Sequence, residues 1–112
     1  MDRLRDEIAR FARERDWEQF HSPKNLAMAL SVEVAELLEI FQWLSEKESY
    51  QLTEKQLGQL KEEIGDVMTY LTGLAARFNL DPIECAREKM EINKLKYPVE
   101  RVKGSSKKYN EY

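Results

Sequence analysis

Apolar positions recur at helical spacing through four stretches of the chain, and none of them alternates as a strand would. The first stretch runs from about Asp2 to Asp16, where Leu4, Ile8, Phe11 and Ala12 form a narrow apolar stripe among charged residues. His21-Ser22-Pro23 follows, with Ser22 a good N-cap and Pro23 at the first helical position, where its missing N–H costs little. A second helix therefore starts at Pro23 and ends near Glu46. It carries Leu26, Met28, Leu30, Val32, Val34, Leu37, Leu38, Ile40, Phe41, Trp43 and Leu44, apolar on nearly every side, which predicts burial by several neighbours. Residues 47–52 read as a linker. Thr53 and Gln56 have capping-box spacing for a third helix running to about Phe78, with Asn79 as its stop. Asp81-Pro82-Ile83-Glu84 then opens a fourth helix, Pro82 to Lys96, which Tyr97-Pro98 ends before the polar, basic tail of residues 97–112. The pattern predicts a single all-α domain.

Within the two most apolar helices lie two acidic pairs, Glu33-x-x-Glu36 and Glu63-x-x-Asp66. Residues three apart on a helix lie about 60° apart around its axis, so each pair turns two carboxylates to one face. Four carboxylates without histidine suit a hard, oxygen-loving cation, Mg²⁺ with Mn²⁺ as a substitute, rather than zinc. A di-iron bundle would want Glu-x-x-His pairs, and His21 lies outside both acidic pairs. The alternative is that the acids pair with Lys or Arg on neighbouring helices or face water.

Composition narrows the function classes. A chain of 112 residues with 42% hydrophobic content is long enough for one core. No apolar run of membrane-spanning length and no secretory leader is read in it, which predicts a cytoplasmic protein without a membrane partner. Cys85 is the single cysteine and reads as a packing residue. Net charge is only −3, but it is segregated: Glu33 to Asp66 holds nine acids and three bases, Arg87 to Lys108 eight bases and three acids. Solvated faces with a basic tail would account for this; so would a metal site beside a phosphate site. Nucleic acid is not expected as a partner, because no pervasive basic excess or nucleic-acid module is present.

Periodicity also says what accompanies the acids. Trp43 falls seven residues after Glu36, and Tyr70 four after Asp66, so aromatic groups flank the proposed cage. On the fourth helix Lys89, Asn93 and Lys96 form one stripe of two cations and an amide, suited to phosphates and a polar ligand edge.

These residues resemble the E-x-x-E…E-x-x-D signature of the MazG-like all-α nucleoside triphosphate pyrophosphohydrolases, a group that includes the dimeric dUTPases. The segments Arg15-Asp16-Trp17-Glu18-Gln19-Phe20-His21, Phe41-Gln42-Trp43, Glu62-Glu63-Ile64-Gly65-Asp66-Val67, Lys89-Met90-Glu91-Ile92-Asn93 and Gly104-Ser105-Ser106-Lys107-Lys108-Tyr109 are similar to the dCTP pyrophosphatase branch. The resemblance covers nearly the whole chain.

It implies a four-helix MazG-like bundle assembled as a homotetramer, with a dimer as fallback, and hydrolysis of a (deoxy)nucleoside triphosphate to monophosphate and pyrophosphate. By the same resemblance, Glu33, Glu36, Glu63 and Asp66 hold the metal, Lys89 and Lys96 the phosphates, and Trp17, Trp43, Tyr70 and Asn93 the nucleoside. His21 and Asn25 match the motif region as substrate-binding residues, or fix the loop and helix start. Ile8 departs from the branch, whose animal members carry histidine there. A noncatalytic nucleotide-binding protein, a purely structural helical oligomer, and hydrolysis of dUTP or phosphoribosyl-ATP remain as alternatives.

Overall fold

Local side-chain signals set the helix boundaries. The computed structural model describes residues 2–104, of which α1 spans Asp2–Glu14, α2 Pro23–Phe41, α3 Glu54–Ala76, α4 Pro82–Lys96 and the short α5 Val99–Val102. No strand occurs among the described residues. Ser22 caps α2 by accepting from the Asn25 N–H at 3.1 Å, with Pro23 in the first turn. Thr53 and Gln56 make the full reciprocal capping box of α3, at 3.1 and 2.9 Å. The Asp81 carboxylate accepts from the Ile83 N–H at 2.8 Å and starts α4.

Three helices end earlier than the apolar pattern suggests. Past α1, Asp16 takes φ 55° and the Trp17 N–H turns back to the Ala12 carbonyl, closing the helix at Glu14 rather than Asp16. Aspartate tolerates this left-handed conformation better than most residues. Asn79, also at φ 55°, performs the stop expected of it, but the last turn of α3 has already tightened and the helix ends at Ala76. α2 stops at Phe41 instead of near Glu46. Beyond it, the Ser45 N–H donates to the Glu48 carboxylate at 2.8 Å while the Glu48 N–H donates to the Ser45 hydroxyl at 3.1 Å. This reciprocal cap holds a short 3₁₀ turn, Glu48–Tyr50, inside the stretch read as linker. The tail read from residue 97 onward contains α5, and the basic segment from Ser105 to Tyr109 lies outside the described residues.

α2 and α3 pack along their length, α1 lies against α3, and α4 meets α3 only sparingly. Leu26 near the start of α2 shares a cavity with Gly73 and Ala76 near the end of α3, whereas Glu36 and Ile40 share a cleft with Gln59 and Glu63. The pair is therefore antiparallel. Its interior is thin: among the described residues, Ala12 and Leu26 are the buried apolar ones and Thr72 the buried polar one. The bundle expected from the sequence is thus not closed within one chain.

The accessible surface is 9220 Å². A compact monomer of this mass exposes about 6,450 Å². The Cα radius of gyration is 17.6 Å, against about 13 Å for a globule of this length. On α2, whose pattern predicts burial by several neighbours, Met28, Val32, Val34 and Leu38 are each about half exposed or more, and on α4 Met90, Ile92 and Leu95 are likewise open. Cys85, read as a packing residue, is exposed on α4 for the same reason: that helix has almost nothing in its own chain to pack against.

Candidate active site

Antiparallel packing brings the two acidic pairs opposite each other. One carboxylate oxygen from each of Glu33, Glu36 and Glu63 lies within 4.8 Å of the others. Asp66, one turn along α3 from Glu63, is near enough for its charge to act on both Glu33 and Glu63. Glu36 and Asp66 are exposed, and Glu33 and Glu63 half-buried.

The buried side of this cluster is unsatisfied. Oε2 of Glu33 and Oε2 of Glu63 are both withdrawn from solvent without a hydrogen-bond partner. An orphaned carboxylate oxygen is costly, and the protein relieves it by favouring the protonated acid. Desolvation is the largest cause that raises the Glu33 pKa from 4.5 to about 7, followed by the adjoining carboxyls of Glu63 and Glu36 and the charges of Glu36 and Asp66. Desolvation likewise pushes Glu63 upward, against the adjoining Glu33 carboxyl, which acts in the opposite direction.

None of the ion pairs among the described residues involves the four acids; they link neighbours on α1, just past its end, or on α4. The salt-bridge alternative therefore finds no support there. An all-oxygen donor set with two dry, unpartnered oxygens fits a hard divalent cation, which would satisfy both atoms and reverse the repulsion.

One hollow is lined by two of the acids, and a second lies further along the helix pair. Glu36 and Glu63 line a cleft of about 350 Å³ together with Glu39, Ile40 and Gln59. Glu39 and Gln59 are not in the acidic signature; the step of three from Glu36 to Glu39 is the signal that places Glu39 on this face. The second hollow, about 220 Å³, lies between α1, the 3₁₀ turn Glu18–Phe20 and the second half of α3, with Tyr70 and His21 in its wall. Ile8 also lines it, as do Glu18 and Arg77, which the acidic and aromatic pattern does not single out.

The remaining expected site residues divide into four groups. Trp17 stands beside the second hollow, edge-on to His21 with ring centroids 6.5 Å apart and edge-on to Phe11 at 5.7 Å. Asn25 fixes the loop: its Nδ2 donates to the Phe20 carbonyl at 2.9 Å. Trp43 is not carried on the Glu36 stripe, because α2 ends before it; it sits in the following turn, 86% exposed. Lys89, Asn93 and Lys96 ride on α4, which has no extensive contact with α2 or α3, so one chain does not seat them against the acids.

An antiparallel helix pair with acids converging across it, and an aromatic-edged hollow one turn further along, defines an all-α protein built around a carboxylate-lined cleft. The chain belongs to the MazG-like family, whose sequence profile matches residues 28–112. It is 47% identical over 105 residues to dCTP pyrophosphatase 1 of Mus musculus and 46% identical to that of Homo sapiens, a match that takes in 92% of this chain. The chain spans 62% of the length of these relatives. A crystal structure of a pyrophosphatase from Archaeoglobus fulgidus superposes with a TM-score of 0.82 at 46% identity, covering 88% of this chain and 92% of that one. No helix among the described residues is long and apolar enough to cross a membrane.

Proposed function

We propose that the chain, as one domain, is a Mg²⁺-dependent nucleoside triphosphate pyrophosphohydrolase acting on dCTP or related deoxynucleotides, with Mn²⁺ able to replace Mg²⁺. The observation that carries this reading is the pair of dry, unpartnered oxygens of Glu33 and Glu63 within a set of converging carboxylates, in a chain similar to pyrophosphatases over most of its length. Glu33, Glu36, Glu63 and Asp66 would hold the cation, which supplies charge neutralisation for the phosphates and a lowered pKa for a bound water.

The chain's own residues do the positioning. The fixed carboxylates would hold the cation and so position the triphosphate for attack of water at the α-phosphorus, with pyrophosphate as the leaving group. The hollow edged by Trp17, His21 and Tyr70 takes the nucleoside, offering aromatic area and a few polar groups. Asn25 keeps the loop that carries Trp17 and His21 in place.

Lys89, Asn93 and Lys96 serve this site from another copy of the chain, and Trp43 closes over the nucleoside there. The exposed apolar faces of α2 and α4 and the surface excess of roughly 2,800 Å² per chain support a homo-oligomer, a tetramer built as a dimer of dimers, because a stable interface takes only about 800 Å² from each partner, so more than one interface per chain is needed to cover it. The setting is cytoplasmic and the role removal of surplus or modified nucleotides from the pool.

The test is to incubate the purified protein with Mg²⁺ and each common dNTP and NTP in turn, and to resolve the products. Monophosphate plus pyrophosphate, abolished by EDTA, is the expected result. Nucleotide bound but not cleaved would instead establish a binding protein, and strongest turnover of dUTP or phosphoribosyl-ATP would move the substrate while keeping the reaction.

A further inference from the structure

The hollow beside Tyr70 contains one wall group whose hydrogen-bonding capacity runs in a single direction opposite to its neighbours. Arg5 and Arg77 can only donate. His21 and Tyr70 can both donate and accept, and the Thr69 hydroxyl already donates to the Gly65 carbonyl at 2.8 Å. Glu18, ionised, can only accept. Its placement follows from the local backbone. Glu18 opens the 3₁₀ turn Glu18–Phe20, and the His21 N–H donates to the Glu18 carbonyl at 3.1 Å. In this tight turn, residues three apart eclipse one another, which sets Glu18 and His21 on one side, toward the hollow. Among the described residues no hydrogen bond or ion pair engages the Glu18 carboxylate.

We propose that Glu18 is the specificity residue of this hollow: its carboxylate accepts from the exocyclic amino group of a 4-aminopyrimidine and so selects cytosine over uracil and thymine nucleotides. The proposal rests on the reading above that the hollow seats the nucleoside. Cytosine and uracil have nearly the same size and shape, so apolar walls cannot tell them apart; they differ where one carries an amino donor and the other a carbonyl acceptor. A carboxylate is a natural partner for the cytosine amine. Set against the uracil carbonyl it is left desolvated and facing another acceptor, a penalty that falls on the wrong base alone. Adenine carries an amino group too, so the informative comparison is between bases of one size.

The experiment compares the wild type with Glu18→Gln, whose amide keeps the shape and can also donate to a carbonyl. Hydrolysis of dCTP and dUTP gives a ratio of kcat/KM, which is insensitive to any loss of folded fraction because both substrates meet the same protein. Titration with dCMP and with dUMP, followed by tryptophan fluorescence, gives an affinity ratio without turnover. Both ratios favour cytosine in the wild type and fall at least about tenfold in Glu18→Gln, while dUTP hydrolysis persists. Hydrolysis with ratios unchanged by the substitution, or absent preference in the wild type, overturns the assignment and leaves the pyrophosphohydrolase reading standing. No hydrolysis by the wild type, with a dCMP preference that Glu18→Gln erases, overturns the reaction and keeps Glu18 as the base-selecting group.

Discussion

Glu33 on α2 and Glu63 on α3 reach toward each other across the helix pair, with ligand oxygens within 4.8 Å and an unpartnered, buried Oε2 on each. The arrangement is a liability without a cation. Glu33 releases its proton near pH 7 in the folded chain and near 4.5 when unfolded, so between these values the folded state holds a proton that the unfolded state has lost. Glu33's contribution to metal-free stability is therefore fully present below pH 4.5 and is lost as pH rises through about 7. A cation bound between these carboxylates would have to displace that proton. The melting temperature of the metal-free protein should fall between about pH 5 and about pH 8, and the rise on adding Mg²⁺ should be larger at the higher pH. A melting temperature indifferent to both variables would remove the metal site.

Glu33→Gln separates stability from function. Losing the ionisable group abolishes the strain of an anion among anions, so the metal-free variant should match or exceed the wild type in stability at about pH 8 and lose most of its pH dependence. Its response to Mg²⁺ should shrink. Thermal denaturation across pH, with and without metal, checks both halves.

Glu36→Gln should reduce kcat by about 100-fold or more while leaving the far-ultraviolet circular dichroism of the helices unchanged, because it removes a charge from an exposed position with little change of shape. Full activity in this variant would release Glu36 from the metal-binding set.

Asn25→Ala deletes the 2.9 Å bond to the Phe20 carbonyl without touching the acids. The expected outcome is a loss of about 1 kcal/mol in stability, a raised KM, and a nearly unchanged kcat, since the loop bearing Trp17 and His21 is loosened while the cleft is not. A fall in kcat at unchanged KM would instead give Asn25 a part in the reaction itself.

Leu95→Glu places a charge on α4 at a site 83% exposed in the single chain. If α4 were a solvent-facing helix, the change would be neutral. Assembly through that face predicts a smaller particle by light scattering and a parallel loss of hydrolysis, because Lys89, Asn93 and Lys96 lie on the same helix.

Much of the helical outline was legible because its signals are local. Ser22, Thr53 and Asp81 cap where short-range hydrogen bonding says they should, and Asn79 stops α3 for a backbone reason. The convergence of the acids needed one further step, the antiparallel packing of two apolar helices. What periodicity could not reveal was where helices stop for reasons other than their own apolar count. Trp43 continues the stripe of α2 on paper, yet the Ser45–Glu48 reciprocal cap begins a new turn and the helix has already ended. That S-x-x-E spacing was available as a warning. Glu18 was hidden differently: it looks like one more surface acid until a 3₁₀ turn aligns it with His21.

The outward-facing apolar side chains carry a consequence for sequence variation. In most small domains a position's exposure measures its freedom to change. Here Val32, Leu38 and Leu95, more than half open in the single chain, would be held to apolar residues by their neighbours in the assembly, while the few enclosed positions, Ala12, Leu26 and Thr72, constrain only a small part of the sequence. In the proposed assembly, drift would be governed by copies of the chain itself, so a substitution on one face would have to be tolerated by every other copy at the same moment.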